Sequence, residues 1–346
     1  MYKVVIRADG GKELGLGHIM RTLVLAKELR KYLEVHYICK DDEILYGDGI
    51  KKVKDEGFNV IKINENNLIS DIKKVQTEIE ADLLITDSYD VDENYFDEMK
   101  KIFKVSGYID DINVCKLNVD FIINQNINAT SIKYNTNKET KLFLGTEYCL
   151  LRDEFRVESD KLIEDKVENI LITVGGSDKD YITLKILDLV LNYDSIIHVV
   201  IGSAFEEKLI NEIYKKYGYN PKVKLYKNAK MAELMKLCDI AISSCGSTLY
   251  ELSAMKVPAI GITVADNQIE IGREFSKREL IIGTNNLIYE DINQFNEIIN
   301  ELIVNKKKRQ LLSQNQKKLV NVNGAKILVE NILVNSRSKD DVNGVY

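Results

Sequence analysis

The residues best equipped for chemistry stand early in the chain, in Gly15-Leu16-Gly17-His18-Ile19-Met20-Arg21, a glycine turn with a histidine in the first turn of the helix it opens. Glycine lets the backbone turn tightly and leaves amide hydrogens free for an anion. His18 is one of three histidines in 346 residues. It feels the positive end of the helix dipole, which disfavours the imidazolium and suits a general base. Arg21, three residues on, shares that helix face and can hold a phosphate or a negative neighbour. Asp9, just before the turn, either orients His18 and its water or caps the loop's own amides. The plain alternative is a glycine turn with a helix-capping histidine. A dinucleotide fingerprint fits less well because Met20 stands where its third glycine belongs, although Asp41 lies at about the distance of a ribose-binding acid.

Other groups with chemical content follow strand-like runs. Asp87-Ser88-Tyr89 comes after Leu83–Thr86 and Asp110-Asp111 after Ile102–Ile109, where open parallel sheets place ligands. One of the two adjacent acids is expected to cap a turn. In the second half, Gly175-Gly176-Ser177-Asp178 is a small-residue turn whose amides could line a phosphate, but it lacks the lysine of a P-loop. Ser243-Ser244-Cys245-Gly246-Ser247-Thr248 joins a strand to a helix. Ser247 or Thr248 can cap that helix, Gly246 permits close approach, and Glu251 either completes the cap or reaches a sugar diol. Asn267 and Gln268 could bind sugar hydroxyls or an acetamido group, with Asp266 or Asn267 as helix caps in the competing account. Cys245 has no histidine near it in sequence, while His36 and His198 fall in strand-like runs that suit a hydrogen-bonded core role.

These groups need a scaffold, and the chain repeatedly alternates strand and helix. Lys3–Ala8, Val35–Cys39, Leu83–Thr86, Ile102–Ile109, Val119–Ile123 and Leu142–Leu144 read as strands. Ser70–Glu80 and the apolar series Ile19, Leu23, Ala26, Leu29 read as helices. After a polar stretch at Arg152–Glu168, read as a hinge, strands recur at Asn169–Val174, Ile196–Ile201, Val223–Tyr226, Asp239–Ser243, Val257–Ile262 and Leu280–Ile282. Helical pieces lie between them. The expected fold class is α/β, with two facing Rossmann-like doubly wound domains at 1–155 and 165–334 and a fraying tail at 335–346.

Composition narrows the partners. The 48 basic and 54 acidic residues give a net charge of −6, with no basic block, so no nucleic-acid partner is expected. Five cysteines form no CxxC pair, and the three histidines are scattered, so neither a metal nor another cofactor is expected. No apolar run approaches about 18 residues and the chain starts directly into a strand, so the expectation is a cytoplasmic protein without a membrane partner. It is expected to be a monomer or a weak oligomer.

Taken in order, Ile6-Arg7-Ala8-Asp9, Gly15–Arg21, Asp87-Ser88-Tyr89, Asp110-Asp111, Tyr148–Phe155, Gly175–Asp178, Ser243–Glu251, Pro258 and Asn267-Gln268 resemble the hydrolases that cleave UDP-2,4-diacetamido-2,4,6-trideoxy-β-L-altropyranose in pseudaminic acid biosynthesis. Those enzymes are related to spore-coat polysaccharide proteins and similar in fold to two-domain GT-B glycosyltransferases. The resemblance runs to about Asn323-Gly324. Two stretches depart from it: Gly10-Gly11-Lys12-Glu13 replaces a small, polar segment, and Asn321–Gly324 stands where Asp-Gly-x-Gly is common.

The resemblance implies that a UDP-sugar and water are the substrates and that His18 is the catalytic base, with Asp9 beside it. It implies that Tyr89 lies close to the substrate, that Gly246–Thr248 lie around the diphosphate and that Glu251 lies near the ribose; Gly17, Arg21 and Gly176 join the expected substrate site as the anion candidates read above. Asn267 matches a sugar-contacting asparagine, and Gln268 stands next to it. The implied reaction is hydrolysis to UDP and free sugar with anomeric inversion. The alternatives are a glycosyltransferase using the same donor, or a nucleotide-sugar-binding protein without catalysis.

Overall fold

The computed structural model describes residues 2–11, 14–113, 115–157, 159–285 and 287–343. By its contacts the chain divides into two compact units, Met1–Arg152 with Asn323–Tyr346, and Asp153–Val322.

The first unit is built on β1 (Lys3–Ala8), β2 (Glu34–Lys40), β3 (Asn59–Ile63), β4 (Leu83–Asp87), β5 (Val105–Ile109), β6 (Phe121–Asn124) and β7 (Lys141–Leu144). They form a parallel sheet in the order β3-β2-β1-β4-β5-β6-β7. Side chains alternate across it. Val4, Ile6 and Ala8 of β1 pack in one core with α1 (Gly17–Leu29) and α2 (Glu43–Asp55). Val5 packs in the opposite core with α3 (Leu68–Ile79) and α4 (Glu93–Ile102). Burying both faces is why β1 and β4 read as nearly continuous apolar runs.

The second unit repeats the plan. Its strands are β8 (Asn169–Thr173), β9 (Ile196–Ile201), β10 (Val223–Lys227), β11 (Ile240–Ser244), β12 (Ala259–Ile262) and β13 (Ile282–Gly283), in the order β10-β9-β8-β11-β12-β13. Its helices are α5 (Ile182–Val190), α6 (Glu207–Tyr217), α7 (Met231–Leu237), α8 (Thr248–Ala254), α9 (Ile269–Lys277), α10 (Leu287–Glu290), α11 (Ile292–Val304) and α12 (Lys306–Gln316). Buried Arg309 of α12 donates to the carbonyls of Leu302, Ile303, Glu164 and Asp165 at 2.6 to 2.9 Å. The charged stretch read as a hinge is thus tied to this unit at residues 164 and 165.

The C-terminal helix α13 (Gly324–Asn343) corrects the expected boundary. Residues 323–334 were expected in the second domain, but Ala325, Leu328, Val329 and Ile332 lie in the core of the first unit with α1. Their spacing makes one helical stripe. Gly324 is required there, because a Cβ would come within 2.6 Å of the Cys149 backbone. Of the stretch expected to fray from Asn335, residues to Asn343 belong to this helix, and residues 344–346 lie outside the described residues.

Candidate functional site

The two sheets share a winding order that reverses at one place, between β1 and β4 in the first unit and between β8 and β11 in the second. Crossovers leave on opposite faces there, opening a crevice at the strands' carboxyl ends. His18, Arg21, Tyr89 and the acids Asp87 and Asp111 come together at the first of these places, and Gly175 and Ser244 adjoin at the second.

In the first unit, β1 leads into a loop closed by the Gly11 amide donating to the Gly15 carbonyl at 2.9 Å. Gly11 cannot carry a side chain, since a Cβ would lie 1.9 Å from the Leu45 carbonyl of α2. Part of the departure at Gly10–Glu13 is therefore close packing of loop on helix; Lys12 and Glu13 lie outside the described residues. Helix α1 then starts at Gly17 without a side-chain cap. His18 is its second residue, 7% exposed.

The partner of His18 is Asp87, not Asp9. His18 Nδ1 lies 2.6 Å from Asp87 Oδ1. The register explains why: Ala8 of β1 pairs with Asp87 of β4, which puts that carboxylate under the start of α1. Asp9 belongs to the other side of the sheet. Its Oδ1 accepts from the Lys40 amide at 2.8 Å and its Oδ2 is buried without a partner. Burial pushes the Asp9 carboxyl up, against the pull of Arg7 and Lys40.

Arg21 does find negative neighbours. Its Nε and Nη2 donate to the two oxygens of Asp87, both at 2.6 Å, and Nη1 donates to Asp111 Oδ2 at 2.9 Å. Such a bidentate pair fixes the carboxylate in orientation as well as charge. Burial pushes Asp87 up, but the Arg21 and His18 charges and hydrogen bonds outweigh it and hold the carboxyl down to about 2. Tyr89 completes the cluster. Its hydroxyl donates to Asp111 Oδ2 at 3.0 Å and its ring meets the His18 ring edge-on at 4.6 Å. Asp110 is the turn-capping acid of its pair, accepting from the amides of Ile112 and Asn113.

This geometry assigns the histidine tautomer. A carboxylate at 2.6 Å can only accept, so Nδ1 carries the proton. Arg21 Nη2, 3.2 Å from Nδ1, is then a flanking contact rather than a donor to it. The lone pair is left on Nε2, which makes no hydrogen bond among the described residues. An oriented imidazole with a free Nε2 and a buried carboxylate behind it can take a proton, as in acid–base dyads generally.

The second unit gathers different chemistry. Gly175, at a φ of 102°, follows β8, and a Cβ there would lie 3.4 Å from Ser244 Oγ at the end of β11, so the two loops adjoin. Asp178 caps α5, accepting from the Ile182 and Thr183 amides at 2.8 and 2.9 Å. Ser247 occupies the position before α8 but makes no side-chain cap, and both it and Gly176 are exposed. Gln268 reaches the same place, its Nε2 being 3.6 Å from where a Gly246 Cβ would be. Asn267 is exposed in the turn Asp266–Gln268, Thr248 starts α8, and Glu251 lies half-buried within it. At both Gly17 and Gly176 a Cβ would meet nothing within 4 Å, and neither has a positive φ. Packing does not demand glycine at either position; a side chain would obstruct only approach to the backbone from outside.

The remaining candidates have structural roles. His198 is held by Tyr226 at 2.8 Å and Asn169 at 3.0 Å, and His36 by Glu34 at 2.9 Å. Burial pushes the Cys245 thiol up to about 12, which leaves no thiolate for nucleophilic attack. Among the described residues no group of three or more His, Cys, Asp or Glu is gathered as a metal site, and no helix is long and apolar enough to cross a membrane.

Comparison with known proteins agrees with this architecture. No protein family pattern matches the chain. It is 34% identical over 290 residues to an uncharacterized protein of Methanocaldococcus jannaschii, covering 80% of this chain and 58% of that protein. It is 31% identical over 199 residues to the pseudaminic acid cytidylyltransferase and UDP-2,4-diacetamido-2,4,6-trideoxy-β-L-altropyranose hydrolase of Helicobacter pylori, covering 56% of this chain and 36% of that protein. The chain therefore spans less than two thirds of the length of either. A Campylobacter jejuni protein named for the same hydrolase activity is 26% identical over 271 residues, 77% of this chain and 93% of its own. Among solved structures, Acinetobacter baumannii MurG superposes with a TM-score of 0.67 at 13% identity, covering 96% of this chain and 99% of that one. A UDP-GlcNAc 2-epimerase of Neisseria meningitidis does so with 0.61 at 14%, covering 96% and 100%. The chain has two Rossmann-like units of a GT-B-like fold. The doubly wound expectation holds in both units.

Proposed function

We propose that this protein is a nucleotide-sugar enzyme that hydrolyses a UDP-linked 2,4-diacetamido-2,4,6-trideoxy sugar to UDP and free sugar. The observation that carries the reading is the His18–Asp87 pair, which leaves Nε2 as an oriented proton acceptor. The names of the Helicobacter and Campylobacter relatives support the substrate class. Water hydrogen-bonded to Nε2 attacks the anomeric carbon. Its oxygen forms the new C–O bond, one proton passes to Nε2, and the bond to UDP breaks with its electron pair leaving on the diphosphate. A single displacement inverts the anomeric centre. Asp87 stabilises the charge gained by the ring, and Arg21 and Asp111 hold Asp87 and Tyr89 in place.

Gly176, Gly246–Thr248 and Glu251 serve the nucleotide in this account, and Asn267 with Gln268 the sugar. Amides and hydroxyls suit a diphosphate because they stabilise its growing charge as hydrogen-bond donors. Asp9 has no direct part. A second reading, transfer of the sugar to an acceptor other than water, rests on the fold shared with glycosyltransferases. The test is UDP release from a panel of UDP-2-acetamido and UDP-2,4-diacetamido sugars, by the native protein and by His18→Ala. Rapid release from the diacetamido sugars alone, lost in the variant, is expected. Equal rates for the two proteins would overturn the assignment of the base.

A further inference from the structure

Beside the His18 ring one cation is shared by two carboxylates. Arg21 of α1 gives Nε and Nη2 to Asp87 at the end of β4 and Nη1 to Asp111 after β5. Its Nη2 also stands 3.2 Å from His18 Nδ1. The side chains of His18, Arg21, Asp87 and Asp111 are 16% exposed or less, so water screens these charges little. Asp111 Oδ1 is buried without a partner, and Arg21 and the Tyr89 hydroxyl alone hydrogen-bond to its other oxygen among the described residues. The other ionisable groups that feel Asp87 are phenols: Tyr89, Tyr37 of β2 and Tyr108 of β5. Burial pushes all three up, so they stay uncharged. Asp110 is turned to the amides of its own loop.

The His18–Asp87 pair has a free lone pair only while it holds a single proton, on Nδ1. A second proton removes that lone pair by either route. Added at Nε2, it makes the imidazolium. Added at Asp87, it makes a carboxylic acid that donates to Nδ1, and the ring turns to the Nε2–H tautomer. A buried carboxylate takes up a proton readily unless a cation compensates it. Here burial pushes the Asp87 carboxyl up, and the Arg21 charge does most to bring it down, to about 2. We propose that Arg21 is a positioning residue for the base, holding the His18–Asp87 pair at one proton, and that Asp111 works against it by sharing the same guanidinium. Without Arg21, two carboxylates and no cation remain beside the ring, and the pair keeps its second proton to higher pH. Without the Asp111 charge, the guanidinium serves Asp87 alone, and the second proton leaves at lower pH. Two changes in one cluster thus move one titration in opposite directions, which a loss of packing would not do.

The effect on rate rests on the hydrolytic reading; the titration itself does not. Its test is nitrogen-15 NMR of the imidazoles in the unliganded protein, with the signals of the three histidines assigned through His18→Ala. In Arg21→Met the midpoint for the second proton should rise by about one pH unit or more, and in Asp111→Asn it should fall by about half a unit. Arg21→Lys keeps the charge but loses the paired donors, and its midpoint should lie between those of the native protein and Arg21→Met. It decides the matter with Asp111→Asn if Arg21→Met does not fold. The acid limb of kcat with a UDP-linked sugar should move in the same directions. Arg21→Met then loses about tenfold in rate on that limb and recovers part of it as pH rises, with little change in KM. Unmoved midpoints, or shifts of the same sign in Arg21→Met and Asp111→Asn, would overturn the proposal. Midpoints shifted as expected in a protein that hydrolyses no UDP-sugar would support it and overturn the hydrolytic reading instead.

Discussion

The two units share a winding order and the place where it reverses, yet they fill that place with opposite chemistry. Between β1 and β4 the first unit concentrates ionisable groups, His18, Asp87, Arg21 and Asp111, all less than one fifth exposed at their side chains. Between β8 and β11 the second presents glycines and short hydroxyls, Gly175, Gly176, Ser244, Gly246 and Ser247, and Asp178, the acid of the Gly175–Asp178 turn, is spent on a helix cap. An oriented histidine stands at the first, and no histidine is among the groups gathered at the second. Neutral donors for an anion are plentiful at the second, whereas the one guanidinium at the first is already saturated by carboxylates. The same fold thus provides one crevice suited to reaction and one suited to binding.

Removing the base should separate the two most sharply: His18→Ala is expected to lower turnover about a thousandfold with UDP affinity unchanged, checked by steady-state rates and calorimetry. Asp87→Asn comes next. It no longer enforces the Nδ1–H tautomer, and a fall in kcat of about a hundredfold with little change in KM is expected. Gly176→Val in the other crevice should do the reverse, raising KM about tenfold and sparing kcat. A large fall in kcat from Gly176→Val would break the comparison.

Acid stability gives a smaller effect. Asp87 has a folded-state pKa of about 2 against an ordinary 3.8. A depressed carboxyl contributes stability above its unfolded value that is lost as pH falls through the folded one, here on the order of 2 kcal/mol between about pH 4 and about pH 2. Asp9 and Asp110, raised by burial, act in the opposite sense. Urea unfolding should show the loss in the native protein and a flatter profile in Asp87→Asn. The smallest effect is expected of Asp9→Asn: turnover within about twofold and stability at neutral pH unchanged or slightly raised, since the amide keeps the oxygen that accepts from the Lys40 amide and removes a charge that burial disfavours.

Much of the scaffold was legible because buried parallel strands are written as apolar runs, as in Lys3–Ala8 and Asn169–Thr173. The edge strand β3, Asn59–Ile63, was not read; two of its five residues are exposed, Ile63 alone is buried, and its sequence is mixed. Helix α2 was obscured by Gly47 and Gly49, yet Gly49 is there because a Cβ would lie 2.2 Å from the Gly10 carbonyl. The apolar stripe of α13 showed a helix but not which core would take it. His18, Arg21 and Tyr89 were visible as candidates, whereas the Asp87 partnership required knowing that β4 pairs with β1. A strand's neighbours are set by the crossover connections, and nothing local at Asp9 or Asp87 distinguishes which acid lies under α1.

The central claim is that His18 directs water to the anomeric carbon of a UDP-linked sugar, and turnover in oxygen-18 water tests it most directly. Mass spectrometry of the products should find the label in the anomeric hydroxyl of the free sugar and none in UDP. Label in UDP, or a sugar joined to another molecule in place of the free sugar, would contradict it.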